Sequence, residues 1–103
     1  MKFRVLSAAQ IEMTQSALWY DDRQFGLADD FIDEVQTALQ SIAENPESSP
    51  RLEHYSGTHE IRRYLLKRFP FVVVFRVNDE RIEIIAVAHG RRKPGYWIGR
   101  LDF

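Results

Sequence analysis

Apolar and polar positions repeat with two different periods along this chain, and the period changes near residue 60. In the first part, Ala9, Met13, Ser16, Ala17 and Tyr20 fall on one stripe at helical spacing. They predict a helix over residues 8–23, with Ser7 as its N-cap. Leu27, Phe31, Val35, Ala38 and Ile42, widened by Ile32 and Leu39, predict a second helix over residues 26–44. Asp29, Asp30, Asp33 and Glu34 crowd its early turns, where the helix dipole favours negative charge. Asn45-Pro46 stops it. So short a connection between helices predicts an antiparallel hairpin. Ahead of both, residues 3–6 (FRVL) read as a short strand.

After the loop at 45–57 the period drops to two. Ile61, Arg63 and Leu65 alternate with Arg62, Tyr64 and Leu66. Beyond Pro70, Phe71, Val73 and Phe75 oppose Val72, Val74 and Arg76, and with both faces apolar this reads as the most buried strand. Next, Ile82, Ile84, Ala86 and Ala88 share one face by strict alternation, and Glu83, Ile85, Val87 and His89 share the other. Asn78, Asp79 and Glu80 separate the last two runs, which predicts a hairpin. The order is β-α-α-β-β-β plus a tail, an α+β arrangement with an antiparallel sheet packed on a two-helix hairpin. The second sheet face, carrying Arg62, Tyr64 or their neighbours, is expected to be at least partly open.

The chain has 103 residues, 45% of them hydrophobic and 13% aromatic, which bounds it to a single domain over 1–103 with one core. It lacks an apolar run long enough to span a bilayer, a signal-peptide core, and any cysteine, and so reads as cytoplasmic. Net charge is −1, but unevenly placed. Residues 1–58 hold four basic and ten acidic side chains, a balance of −6; residues 59–103 hold ten basic and five acidic, a balance of +5. Either the basic part meets an anionic partner, or the acidic helices neutralise a basic sheet.

His54, His59 and His89 lack metal-ligand spacing, and no glycine-rich phosphate loop is present, so neither metal nor cofactor is expected. The basic set offers more. Arg62 and Arg63, with His89, Arg92 and Tyr96, are the residue types that metal-free RNA cleavage requires: a proton carrier, cations for the phosphate and a ring for the base. Arg62 and Arg63 also read as ordinary strand residues whose stems lie along the sheet. Tyr96, Trp97, Leu101 and Phe103 either fold back on the sheet or form a patch for a partner. Trp19 and Tyr20 read as helix-hairpin core, with Trp19 off the main stripe.

The ordered set Trp19-Tyr20, Gly26-Leu27, Phe31, Asn45-Pro46, Ile61-Arg62-Arg63, Phe69-Pro70-Phe71, Ala86-Val87-Ala88-His89, Arg91-Arg92, Pro94 and Tyr96-Trp97 resembles the ParE/RelE superfamily of type II toxins, on the branch called plasmid stabilization system proteins. The resemblance spans nearly the whole chain and implies the same β-α-α-β-β-β fold. It implies a toxin paired with a cognate antitoxin, ParD-like or another small protein, that wraps the toxin. ParE-like members inhibit DNA gyrase by protein binding; RelE-like members cleave mRNA in the ribosome. The near-neutral charge and acidic helices depart from the strongly basic nuclease pattern. The first expectation is therefore a gyrase inhibitor contacting its partners through Arg91, Arg92, Lys93, Tyr96, Trp97 and Arg100. The alternative is an mRNA endonuclease using His89, Arg62, Arg63, Arg92 and Tyr96. A second alternative is an inactive member that binds only its antitoxin.

Overall fold

A computed structural model describes residues 2–52, 55 and 57–101; His54 and Phe103, singled out above, lie outside the described residues. The elements run β1 (Lys2–Val5), α1 (Ser7–Asp21), α2 (Leu27–Glu44), β2 (Glu60–Leu65), β3 (Phe71–Asn78) and β4 (Arg81–His89), with short 3-10 turns at Pro46–Ser48 and Ile98–Leu101. The sheet order is β1-β4-β3-β2. The three longer strands are antiparallel as expected, and β1 adds to β4 in parallel, which makes the sheet mixed. Both β3 and β4 are central, and β4 is as deeply buried as β3.

Ser7 is the first helical residue, and Leu6, extended at φ −65° and ψ 148°, occupies the N-cap with no side-chain bond. The strand runs straight into the helix because Leu6 N–H still pairs with Ile84 O at 3.0 Å. Five residues join α1 to α2, and Gly26 (φ +82°) takes the left-handed conformation that the reversal requires. α1 and α2 pack on each other, and α1 also packs on β4. Asp79 and Glu80 form a two-residue hairpin loop between β3 and β4, with Asp79 left-handed at φ 51°.

The main core lies between helices and sheet. Phe31, Val35, Ala38 and Ile42 of α2 meet Val73 and Phe75 of β3 and Ile82, Ile84 and Val87 of β4. Tyr20, Phe31, Phe69 and Phe71 form an aromatic cluster with centroids 4.9–6.2 Å apart. Tyr20 is thus core, as expected, whereas its neighbour Trp19 is 52% exposed.

A β-bulge alters the faces predicted for β4. Val74 pairs with Ala86 but Phe75 pairs with Ile84, leaving Ile85 as the extra residue. The bulge breaks strict alternation: Ile85 and Ala86 both join the second face, and Val87 and His89 pass to the helix face beside Ile82 and Ile84. Register also corrects β2. Arg62 lies opposite Phe75 and Tyr64 opposite Val73, on the helix side; Arg63 lies opposite Val74, on the second face.

Candidate functional site: the C-terminal strap and the edge of β4

The second face of the sheet is covered in part and open in part, as expected, with Leu65 on it 61% exposed. Residues 90–101 turn back across it, starting with Gly90 N–H on Pro70 O at 2.8 Å. Trp97 and Leu101 are buried there against Leu6, Ile61, Val74, Ile85 and Ala86. Of the two readings of the aromatic tail, the folded-back cluster is the one adopted for Trp97 and Leu101, because the bulge places Ile85 and Ala86 side by side beneath them. Arg76 and Glu83, directly opposed across the hairpin, form a buried ion pair on the same face. Arg76 also donates to Leu101 O at 3.4 Å and so ties down the end of the strap.

The strap is held to α1 by a residue that the sequence reading passed over, Glu12. β1 covers the edge of β4 only as far as Ile84, so the backbone groups of residues 85–89 on that edge need other partners. Glu12 Oε1 accepts the Val87 N–H at 3.0 Å, and Arg100 donates to Ile85 O at 3.0 Å. The two side chains then join each other by two bonds of 3.0 Å, and Tyr96 Oη–H donates to Glu12 Oε2 at 2.5 Å. Glu12 and Arg100 thus stand in for a neighbouring strand at the bulge.

Burial alone raises the Glu12 pKa. Hydrogen bonds from Arg100, Tyr96 and the Val87 N–H, with the charge of Arg100, outweigh it and hold the carboxyl below its ordinary value of 4.5. Burial and the bond to Glu12 push the Tyr96 hydroxyl well above its usual range. The bond to Glu12 raises Arg100 further. One signal of Glu12's role was present in the sequence: it is the only charged residue from Ser7 to Tyr20.

The other sequence-predicted residues fall into separate places. His89 stands edge-on to Phe71 with centroids 5.1 Å apart, and its Nδ1 accepts the Arg91 N–H at 3.0 Å. In the neutral ring this leaves the proton on Nε2. Arg92 is exposed and lies 3.9 Å above the Tyr96 ring centroid, with Arg100 at 5.1 Å from the same ring. Arg91 and Lys93 are exposed beside it.

Arg62 is engaged elsewhere, with Glu60 at 2.8 Å and Ser49 O at 2.6 Å. Its register partner, Phe75, is four residues from the partner of His89, Phe71. That offset is roughly 13 Å along the strand, and two strand spacings add roughly 10 Å across the sheet. The structure therefore gathers His89, Arg92 and Tyr96 at one end of β4, brings Arg63 to the same cleft, and leaves Arg62 apart.

His89 and Arg92 border two clefts. One, of about 580 Å³, lies between α1 and the end of β4 and is walled by Glu12, Trp19, Tyr20 and Phe71. The other, of about 530 Å³, lies on the second face between β2 and the strap and includes Arg63, Leu65, Val72, Pro94 and Trp97. Among the described residues, no three His, Asp or Glu side chains converge as a metal site, and no helix is long and apolar enough to cross a membrane.

Comparison with known proteins gives the following. Residues 11–94 match the family model described as the ParE toxin of the type II toxin–antitoxin system parDE. The fold is similar to a chain from the chromosomal ParDE toxin–antitoxin system of P. aeruginosa, with a TM-score of 0.72 and 18% identity, over 86% of this chain and 95% of that one. A comparison with curated protein sequences returned no match.

Proposed function

Because this chain belongs to the ParE toxin family of type II toxin–antitoxin systems, we propose that it acts by binding protein, with DNA gyrase as its target and a cognate antitoxin as its silencer. The contact surface is the exposed part of the segment from His89 to Arg100, where Arg92, stacked on Tyr96, presents its charge between the two clefts.

One observation carries this reading over RNA cleavage: although Arg63, His89, Arg92 and Tyr96 line one cleft, Arg62 and the Tyr96 hydroxyl are engaged by other groups. Arg62 is bonded to Glu60 and Ser49 O at the far side of the sheet. The Tyr96 hydroxyl is bonded to Glu12, and its ring is faced by Arg92, so neither is bare for a base. The protein is also nearly neutral, with its acids concentrated in the first half. These features support recognition by surface contact more than attack on a phosphate-rich substrate.

Inducing the protein in cells and following DNA supercoiling and mRNA integrity together tests this. Disturbed supercoiling with intact mRNA is expected, reproduced in a gyrase supercoiling assay with purified components. Cut mRNA with normal supercoiling would transfer the assignment to the nuclease reading. No growth defect, with antitoxin binding retained, would leave only the binding role.

A further inference from the structure

Arg62 and Arg63 are neighbours on β2 with opposite fates. Arg62 has a carboxylate and backbone carbonyls around it. Arg63 points to the second face, where its Nε is enclosed by protein yet has no hydrogen-bond partner among the described residues. An enclosed guanidinium donor without an acceptor is costly, and its cost is relieved by any partner that brings an anion to it.

The groove around Arg63 has the matching character. Its walls include Leu65, Val72, Pro94 and Trp97, with Arg92 and Lys93 at the rim, and no Asp or Glu is among its described lining residues. Leu65, two positions along the same strand and so on the same face, is 61% exposed.

We propose that this groove receives an acidic, apolar segment of a protein partner, and that Arg63 pairs with a carboxylate of that segment beside an aliphatic side chain seated near Leu65. This rests on the reading that the chain works through protein contacts. A peptide fits better than RNA. Leu52, Leu65, Val72, Val74 and Ile98 give the walls an aliphatic stretch, the Trp97 ring is buried, and the Tyr96 ring is faced by Arg92, so of the lining rings the half-buried Tyr55 and His89 remain for base stacking, set against a longer aliphatic surface. A single enclosed guanidinium donor suits one carboxylate at a fixed point better than a run of solvated phosphates.

The test selects a random 12-residue displayed peptide library on the immobilised full-length chain, then titrates the enriched peptide in solution. The expected consensus holds an acidic residue next to aliphatic ones. Replacing that acid by its amide, or Arg63 by Gln or Met, should each weaken binding at least tenfold, and the two changes together should cost little more than either alone. Arg51→Ala, an exposed arginine outside the groove, should have no effect. Thermal unfolding of both Arg63 variants identifies one that remains folded. Absence of enrichment, a consensus without an acid, binding indifferent to Arg63, or preference for a 12-nucleotide oligouridylate would each overturn the proposal. Gyrase assays on the same proteins separate the two levels: inhibition by the wild type with no Arg63-dependent peptide binding rejects the groove alone, and no inhibition by the wild type rejects the target.

Discussion

The Glu12 carboxylate and the Arg100 guanidinium, 88 residues apart in sequence, meet through two 3.0 Å hydrogen bonds over the edge of β4 that β1 leaves uncovered. Each also bonds the backbone of that edge, Glu12 at Val87 N–H and Arg100 at Ile85 O. The pair therefore joins the first helix, the sheet and the strap in one set of bonds.

Removing that carboxylate should loosen the strap before it unfolds the sheet. Glu12 and Arg100 are 13% and 23% exposed, so the contact is largely shielded. Glu12→Ala is expected to destabilise the protein by about 2–3 kcal/mol, because Arg100, Tyr96 and the Val87 N–H all lose their acceptor. Urea unfolding measures the loss. Hydrogen exchange at Trp97–Leu101 should accelerate more than at β3; uniform acceleration would contradict a local latch.

Acid should weaken the same contact. The Glu12 pKa is lowered in the folded chain, so its stabilisation is fully present above the unfolded value and is lost as pH falls through the folded one. As pH falls below the ordinary carboxyl value of 4.5, the wild type should lose stability more steeply than Glu12→Gln, which has no such proton to gain. The Tyr96 pKa is raised, so its contribution is complete below the ordinary tyrosine value of 10.0 and is lost as pH rises above it. Tyr96→Phe should flatten that alkaline loss. Parallel curves for wild type and variants in both ranges would refute the assignment.

Arg76 and Glu83 should behave as a buried pair whose halves cannot be separated. Both side chains are 5% exposed and face each other across the hairpin. Glu83→Gln is expected to cost about 3 kcal/mol by leaving Arg76 without its carboxylate. The double change Arg76→Met with Glu83→Leu should recover much of that loss, since apolar replacements of similar size remove both desolvated charges. Guanidinium unfolding of the wild type, the single changes Arg76→Met and Glu83→Leu, and the double change gives the coupling directly.

Function should depend on Arg92 and tolerate loss of His89. Under the protein-contact reading, His89→Ala retains growth arrest and gyrase inhibition within about threefold, whereas Arg92→Ala weakens inhibition about tenfold, the size expected of an interface arginine. Loss of toxicity on His89→Ala, in a variant that still folds, would point instead to a proton carrier and hence to catalysis.

Much of this architecture is legible in residue periods. The α2 stripe of Phe31, Val35, Ala38 and Ile42, the tight turn after Asn78 and the apolar β3 follow from local spacing, because helices and hairpins are closed by contacts between near neighbours. The family resemblance is likewise carried by short ordered motifs, and the match over residues 11–94 agrees with it.

The site was less legible, since its determinants are long-range. Alternation in β4 assigns faces correctly only up to Ile85; the extra residue at the bulge decides where Ala86, Val87 and His89 point, and bulges are set by pairing between strands. Adjacent arginines 62 and 63 look equivalent in sequence, yet register with β3 sends one to a satisfied edge and the other into a groove. Glu12 meets Arg100 only after β1 ends short of Val87 and the strap returns across the sheet. The sequence alone determined the elements, the family and the set of basic and aromatic side chains. Tertiary structure decided which of those side chains were already partnered and which remained for recognition, because hydrogen-bond partners and burial depend on pairing register and chain return.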